Sequence, residues 1–394
     1  MFTRLLIVIV GIHLSIMKSF AMQIYSTWDE AIFDIKDGDE LAFGGFGICG
    51  IPENLIAALE KKNIKNLTWI SNNGGLSDWG LGKLMGNNQV KRMIGGSITD
   101  NKMYQNMYLE GKLEVEFIPQ GTLAEKLRNG GYGIPAFYTA VGRDTFVEKG
   151  GFPILNPQNG EKAKVVSSPK ETKMIKGQKY LLEESLQPAY SIVKGWKADE
   201  TGNVIFRKSA RNFNVDVAKA GKIWIVEVEE IVPSGSLDPD NIHLPHVYVQ
   251  RLIKWDHYEK RIQYLTTSQV KDDQSASTQP KKQEKDSWQL KKEKKRRRIA
   301  IRAAKIIKND MVVNIGTGLP TMIPNFLEPG MKIHFQSENG ILGMGGYPLP
   351  CEVDSDLINA GKQTIKLDKG GSFFCSSDSF GMIRGGHIDV SLET

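Results

Sequence analysis

Asn309-Asp310-Met311-Val312-Val313-Asn314-Ile315-Gly316-Thr317-Gly318-Leu319-Pro320 is the stretch that decides the fold. It sets an apolar strand between an Asn-Asp turn and a glycine turn that ends in proline, behind Ile299, Ala303, Ile306 and Ile307 at helical spacing. The same order stands near the start of the chain. There Trp28, Ala31, Ile32 and Ile35 lie at helical spacing, followed by Gly38-Asp39, an apolar strand, a glycine turn and Pro52. Each half then continues through a helix and a second strand into a polar turn, Ser71-Asn72-Asn73-Gly74 in the first and Ser337-Glu338-Asn339-Gly340 in the second. The echo extends to residues 111–117, matched with 386–392. Such repetition predicts two lobes sharing one ancestral fold. Short apolar runs (41–43, 67–70) alternate with helical patterns (54–59), so the predicted class is α/β with mainly parallel sheets.

Charge marks the boundary between the lobes. The net charge is +6, and residues 268–298 hold 11 basic and 5 acidic side chains, which accounts for all of it. The rest of the chain is balanced, so nothing points to a polyanion-binding body. The expected organisation is a targeting segment at 1–22, a first lobe at 23–267, a polar basic linker at 268–298 and a second lobe at 299–394. Residues 291–298, seven of eight basic, read as a solvated hinge or helix start rather than a nucleic-acid patch. At the N-terminus, Arg4, an apolar run over 5–16 and the small residues Ser19 and Ala21 look like a signal-peptide core, too short to span a bilayer. Cys49, Cys351 and Cys375 show no CxxC spacing, and an odd number argues against a disulfide framework.

The difference between the two polar turns carries chemistry. Glu338 is a carboxylate where the first lobe has an amide, and a carboxylate can attack a carbonyl. It follows the apolar alternation of Ile333 and Phe335, so it belongs at the carboxyl end of a strand, where open α/β sheets bind ligands. Gly340, Gly343 and Gly345 would let the backbone approach a ligand closely and expose N–H groups. In the first lobe, residues 45–50 match the G-x-G-x-x-G pattern of dinucleotide sites. Asn72 and Asn73 stand where an acidic ribose ligand is required, which leaves a tight structural turn or a turn that also shapes a ligand cleft. His243 and His387 have no ligand-spaced neighbours and read as structural.

Ser337-Glu338-Asn339-Gly340-Ile341-Leu342-Gly343 resembles the active-site segment of the family I CoA-transferases. Residues 44–56, Gly-Gly-Phe-Gly-Ile-Cys-Gly-Ile-Pro-Glu-Asn-Leu-Ile, are similar to the signature of their first subunit, and residues 119–125 and 202–213 extend the likeness. Two fused subunits joined by a polar linker resemble the succinyl-CoA:3-ketoacid CoA-transferases of ketone-body catabolism in the mitochondrial matrix. The resemblance implies Glu338 as covalent CoA carrier and Asn72, Asn73 and Gln120 lining the carboxylate end of the cleft. Turn capping and loop bracing are the alternative roles for those three. Asn339, Gly340, Gly343 and Gly345 would lie along CoA. Succinyl-CoA and acetoacetate are the implied substrates and a homodimer the implied state, with no metal, no resident cofactor, no nucleic acid and no membrane. The family pattern continues beyond residues 388–392, so the second lobe is expected to be incomplete. On that reading the alternative is an inactive chain serving at most as a binding module.

Overall fold

The computed structural model describes residues 22–98, 100–157, 161–254, 257–268 and 287–393. The expected targeting segment, Met22 excepted, and residues 269–286 of the expected linker lie outside the described residues. In the first lobe the chain forms β1 (Gln23–Tyr25), β2 (Glu40–Phe43), β3 (Leu67–Asn73), β4 (Val90–Ser97) and β5 (Glu114–Phe117). It continues through β6 (Ala136–Thr139), β7 (Thr172–Ile175), β8 (Gln178–Glu184), β9 (Tyr190–Asp199), β10 (Val204–Ile205), β11 (Ile223–Val232) and β12 (Arg251–Lys254). Nine of these strands make one sheet, ordered β1-β12-β11-β9-β2-β3-β4-β5 with β10 attached to β9. Every pairing but that of β10 is parallel. Strands β6, β8 and β7 form a separate antiparallel sheet that the alternating pattern does not announce.

The central strands read as continuous apolar runs because both faces of a parallel sheet are covered. Successive side chains point to opposite faces. Leu41, Phe43, Trp69 and Ile192 join Leu55, Leu59 and Tyr104 in one core. Ala42, Ile70 and Val193 join Leu123, Leu127 and Phe213 in the other. The helix Glu53–Lys62 starts after Pro52 and ends at Asn63, which takes the left-handed conformation (φ 56°). Its Leu55 N–H donates to the Glu227 carboxylate at 2.8 Å, so a strand residue caps the helix from across the lobe.

In the second lobe β13 (Val312–Ile315), β14 (His334–Ser337), β15 (Ile341–Met344), β16 (Leu367–Phe373) and β17 (Val390–Leu392) lie in the order β16-β15-β14-β13-β17. Here the sheet is mixed. β13 runs parallel to β14 and β17, while β15 is antiparallel to both β14 and β16, because the turn at Gly340 reverses the chain at once. The helix expected between the first two strands is a 3₁₀ segment, Pro320–Phe326, with Pro324 inside it. A proline there removes an N–H and disfavours a continuous α-helix. Residues 291–298 fall within the helix Ser287–Ala304, which crosses the boundary expected at 298. Ala300 and Ala304 face the core of the second lobe with Ile307, so the basic run lies in a helix of this lobe.

One matched pair from the sequence needs correction. β5 lies at the far edge of the large sheet beyond β4, whereas β17 lies directly beside β13. The first-lobe equivalent of β13 is β2, whose neighbour on that side is β9: Ala42 faces Ser191 as Asn314 faces Ser391. Residues 386–392 therefore echo the entry to β9, not residues 111–117. The lobes pack through the helix Ser376–Arg384. Arg384 reaches Glu125 at 2.8 Å, and the Ser377 hydroxyl donates to Asp216 at 2.7 Å. Among the described residues no helix is long and apolar enough to cross a membrane.

Trp69 is fully buried edge-on to Tyr104, with ring centroids 6.2 Å apart. Trp69→Ala is expected to cost about 3–5 kcal/mol in urea unfolding and Trp69→Phe clearly less. Equal losses would show that the filled volume is not what this position contributes.

Candidate active site

Three turns stand at the carboxyl ends of strands: residues 44–51 after β2, Asn73-Gly74 after β3 and Glu338-Asn339-Gly340 after β14. The first two are joined by the Gly47 N–H to Asn72 Oδ1, and Lys362, beside Gly47, brings its charge to Glu338. Glu338 is held from both sides. Ser337 and Asn339 are fully buried, and the Ser337 hydroxyl donates to Asn339 Oδ1 at 2.6 Å. Asn339 Nδ2 donates to the Ile358 carbonyl at 2.7 Å, and the Ala360 N–H donates to Ser337 Oγ at 2.9 Å. Beneath them Gln336 accepts from Asn314 Nδ2 and donates to the Ser379 hydroxyl, both at 2.5 Å. The loop 356–360 thus grips the residues that flank the carboxylate.

Glu338 itself is part-exposed, but its Oε2 is sealed from solvent with no hydrogen-bond partner among the described residues. Burial pushes the carboxyl up to about 7. Its own backbone N–H and the charge of Lys362 act in the opposite direction, and Glu393 adds to the rise. Gly340 turns the chain at φ +101°, where a Cβ would lie 2.1 Å from the Phe374 carbonyl oxygen. A Cβ at Gly343 would fall 2.7 Å from Gly371 Cα, and one at Gly345 would fall 2.6 Å from an Asp368 oxygen. The expectation that these glycines expose N–H groups to a ligand is not met at two of them. Gly340 N–H donates to Ser337 O and Gly345 N–H to Lys366 O. The room they leave is filled by β16 and the residues around it, because an antiparallel strand packs where a cleft was expected.

Asn72, Asn73 and Gln120 do come together. Asn73 Nδ2 donates to Asn72 Oδ1 at 2.6 Å, Gln120 Nε2 to the Asn72 carbonyl at 2.9 Å, and Asn72 Nδ2 to Gln120 Oε1 at 3.3 Å. Asn72 Oδ1 also accepts from Gly47 N–H, and Asn73 Oδ1 from Gly75 N–H. The capping and bracing roles are thus physically present. In the glycine loop the N–H groups of Phe46 and Cys49 bond to each other's carbonyls at 3.0 Å, and Gly47 N–H goes to Asn72. A loop whose amides are used internally makes a tight turn, not a pyrophosphate cradle.

Sequence reasoning missed Lys362. It sits at φ 59° with its ammonium 3.0 Å from Asp100 and 5.6 Å from the centre of the Phe46 ring, close beside Gly47. It is the positive charge shared by the first-lobe loop and the second-lobe carboxylate, and a lone lysine in a polar loop carries no periodicity to reveal it. Cys49 and Cys375 are not rival nucleophiles. Burial pushes the Cys49 thiol far up and the Cys375 thiol up to about 12, so both stay protonated. His243 accepts from Phe206 N–H at 2.8 Å, and burial pushes it down to about 4, which fixes it as a neutral structural acceptor.

Two fused α/β lobes with a carboxylate on a strand-end turn are the arrangement expected of a coenzyme A transferase. The Coenzyme A transferase family model matches residues 25–254 and 296–392, and the chain belongs to that family. It is accordingly a CoA-transferase. The chain is 47% identical over 371 residues to the mitochondrial succinyl-CoA:3-ketoacid coenzyme A transferase 2A of Rattus norvegicus, covering 94% of this chain and 69% of that one. It is 47% identical over 363 residues to the mitochondrial succinyl-CoA:3-ketoacid coenzyme A transferase 2 of Homo sapiens, covering 92% of this chain and 67% of that one. The crystal structure of an acyl-CoA transferase apoenzyme from Escherichia coli O157:H7 superposes with a TM-score of 0.68 at 19% identity, covering 95% of this chain and 69% of that one. At that identity the likeness shows the fold.

Gly340→Ala must displace Phe374 or flip the turn, at an expected cost of about 1–3 kcal/mol. Gly346→Ala, with nothing within 4 Å of the added carbon, is the near-neutral control. Calorimetry of the two variants checks this, and equal melting temperatures would refute it.

Proposed function

We propose that this protein moves CoA from succinyl-CoA to a 3-oxo acid, acetoacetate, through a thioester on Glu338. The observation that carries the reading is a turn carboxylate at a strand end, gripped by its neighbours yet part-exposed, in a chain closely related to proteins named for that transfer. A Glu338 oxygen attacks the succinyl thioester carbonyl and expels CoA thiolate, leaving a mixed anhydride. The thiolate then attacks the glutamyl carbonyl and expels succinate. Acetoacetate attacks the resulting glutamyl thioester and releases the thiolate, which attacks the acetoacetyl carbonyl and regenerates the carboxylate. Only acyl bonds change partners, so no electron is gained or lost.

Asn72, Asn73 and Gln120 are placed in this reading at the carboxylate end of the cleft. The thiol end of CoA comes against the part-exposed Glu338 itself. Asn339 and Gly340 in the turn and Gly343 and Gly345 in and after β15, packed against β16 and the 356–360 loop, would shape the site rather than lie along CoA. Lys362 favours the ionised form of Glu338 and so opposes the effect of burial. The mitochondrial relatives support a mitochondrial address, where the reaction would serve ketone-body use in the matrix.

The test is the first half-reaction. Incubation with succinyl-CoA followed by borohydride should modify Glu338, and Glu338→Gln should remove both the modification and overall transfer. A Gln variant with normal turnover would refute the assignment. Because attack needs the ionised carboxylate, raising the pH through about 7 converts the inert acid into the nucleophile. The labelling rate should rise with pH, be half-maximal near that value and fall about tenfold per unit on the acid side. A rate independent of pH across that range would show that Glu338 ionises elsewhere.

A further inference from the structure

Ser209 belongs to the first lobe and has no place in the chemistry above, yet it is 1% exposed and sits inside a second-lobe loop. Its hydroxyl donates to the Asp356 carbonyl at 2.6 Å and accepts from Ile358 N–H at 3.0 Å, while its own N–H also bonds to Asp356 O at 2.9 Å. The loop held this way is the one that grips the nucleophile's neighbours. Ile358 O receives the Asn339 amide, and Ala360 N–H reaches Ser337 Oγ. Two peptide groups therefore separate Ser209 from the side chains on either side of Glu338.

Ser209 is itself well anchored. Asn212 Nδ2 bonds to Ser209 O at 2.9 Å and to the glycine-loop carbonyl of Cys49 at 3.2 Å. The same loop is tied down independently by charge. Arg207 holds Asp354 with both terminal nitrogens at 2.7 Å, Lys208 reaches Asp354 at 2.6 Å, and Lys260 reaches Asp356 at 2.8 Å. These pairs keep the lobes docked when the hydroxyl is removed, so loss of the hydroxyl tests alignment rather than folding.

We propose that Ser209 is a positioning residue for Glu338, joining the first lobe to the nucleophile through the 356–360 loop. This rests on Glu338 carrying the acyl group as set out above. Without the hydroxyl, Ile358 N–H loses its acceptor while Asp354 and Asp356 stay tied, so the 358–360 end of the loop is free to shift, carrying with it the groups that hold Ser337 and Asn339 and letting water reach the sealed carboxylate oxygen. Both the geometry of attack and the ionisation of Glu338 should change together.

The experiment compares full-length wild type with Ser209→Ala in the succinyl-CoA half-reaction, quantifying borohydride-trapped Glu338 by peptide mass spectrometry across pH. Ser209→Ala is expected to slow maximal labelling about tenfold. The pH midpoint of labelling should fall toward the ordinary carboxylate value, and the succinyl-CoA concentration for half-maximal rate should change little. An unlabelled wild type overturns the Glu338 reading and the proposal with it. A labelled wild type matched by Ser209→Ala in rate and midpoint overturns the proposal alone, as does a variant impaired only in its concentration dependence. If calorimetry shows Ser209→Ala unfolded, Ser209→Cys fills the same space with a weaker donor and is judged on the same readouts.

Discussion

A carboxylate placed at the end of a buried strand loses most of its hydration, and the surroundings of Glu338 limit that loss without abolishing it. Its backbone N–H and Lys362 stabilise the charge, burial opposes them, and the balance leaves the group poised near neutrality. A fully solvated glutamate would be ionised but unplaced, and a fully sealed one would be placed but protonated. The grip on Ser337 and Asn339 follows from the same constraint, since a side chain deprived of water must be oriented by its neighbours.

The buried polar groups of the first lobe solve a related problem. Asn72, Asn73 and Gln120 satisfy one another and the glycine-loop backbone, so a polar turn can lie deep in the structure at little net cost. Glu227 is less comfortable. It caps the helix Glu53–Lys62, but its second oxygen lacks a partner among the described residues, and burial pushes it up to about 8.

What the sequence revealed was local. The apolar runs of β2, β3 and β13, the polar turns after β3 and β14, and the single change from amide to carboxylate were all legible, because burial and turn chemistry act on adjacent residues. Strand order was not. Residues 386–392 resemble 111–117 in pattern, yet β17 pairs with β13, a contact set by sheet assembly rather than local preference. Pro324 was visible in the sequence, but its consequence, a 3₁₀ segment in place of a helix, depended on position within the turn. Lys362 and Ser209 escaped for another reason. Each matters through a contact with the opposite lobe, and although Ser209 lies within residues 202–213, no local pattern shows which side chain of that stretch makes the contact.

The interface between the lobes is rich in hydrogen bonds and ion pairs: Arg207 and Lys208 with Asp354, Lys260 with Asp356, Ser377 with Asp216, Arg384 with Glu125. Such contacts specify orientation well, but part-exposed ion pairs contribute little association energy and weaken with salt. Carrying both lobes on one chain replaces a bimolecular encounter by an effective concentration in the millimolar range. The contacts that orient the lobes then need not also supply the affinity that brings them together, which leaves those side chains free to be selected for alignment rather than adhesion.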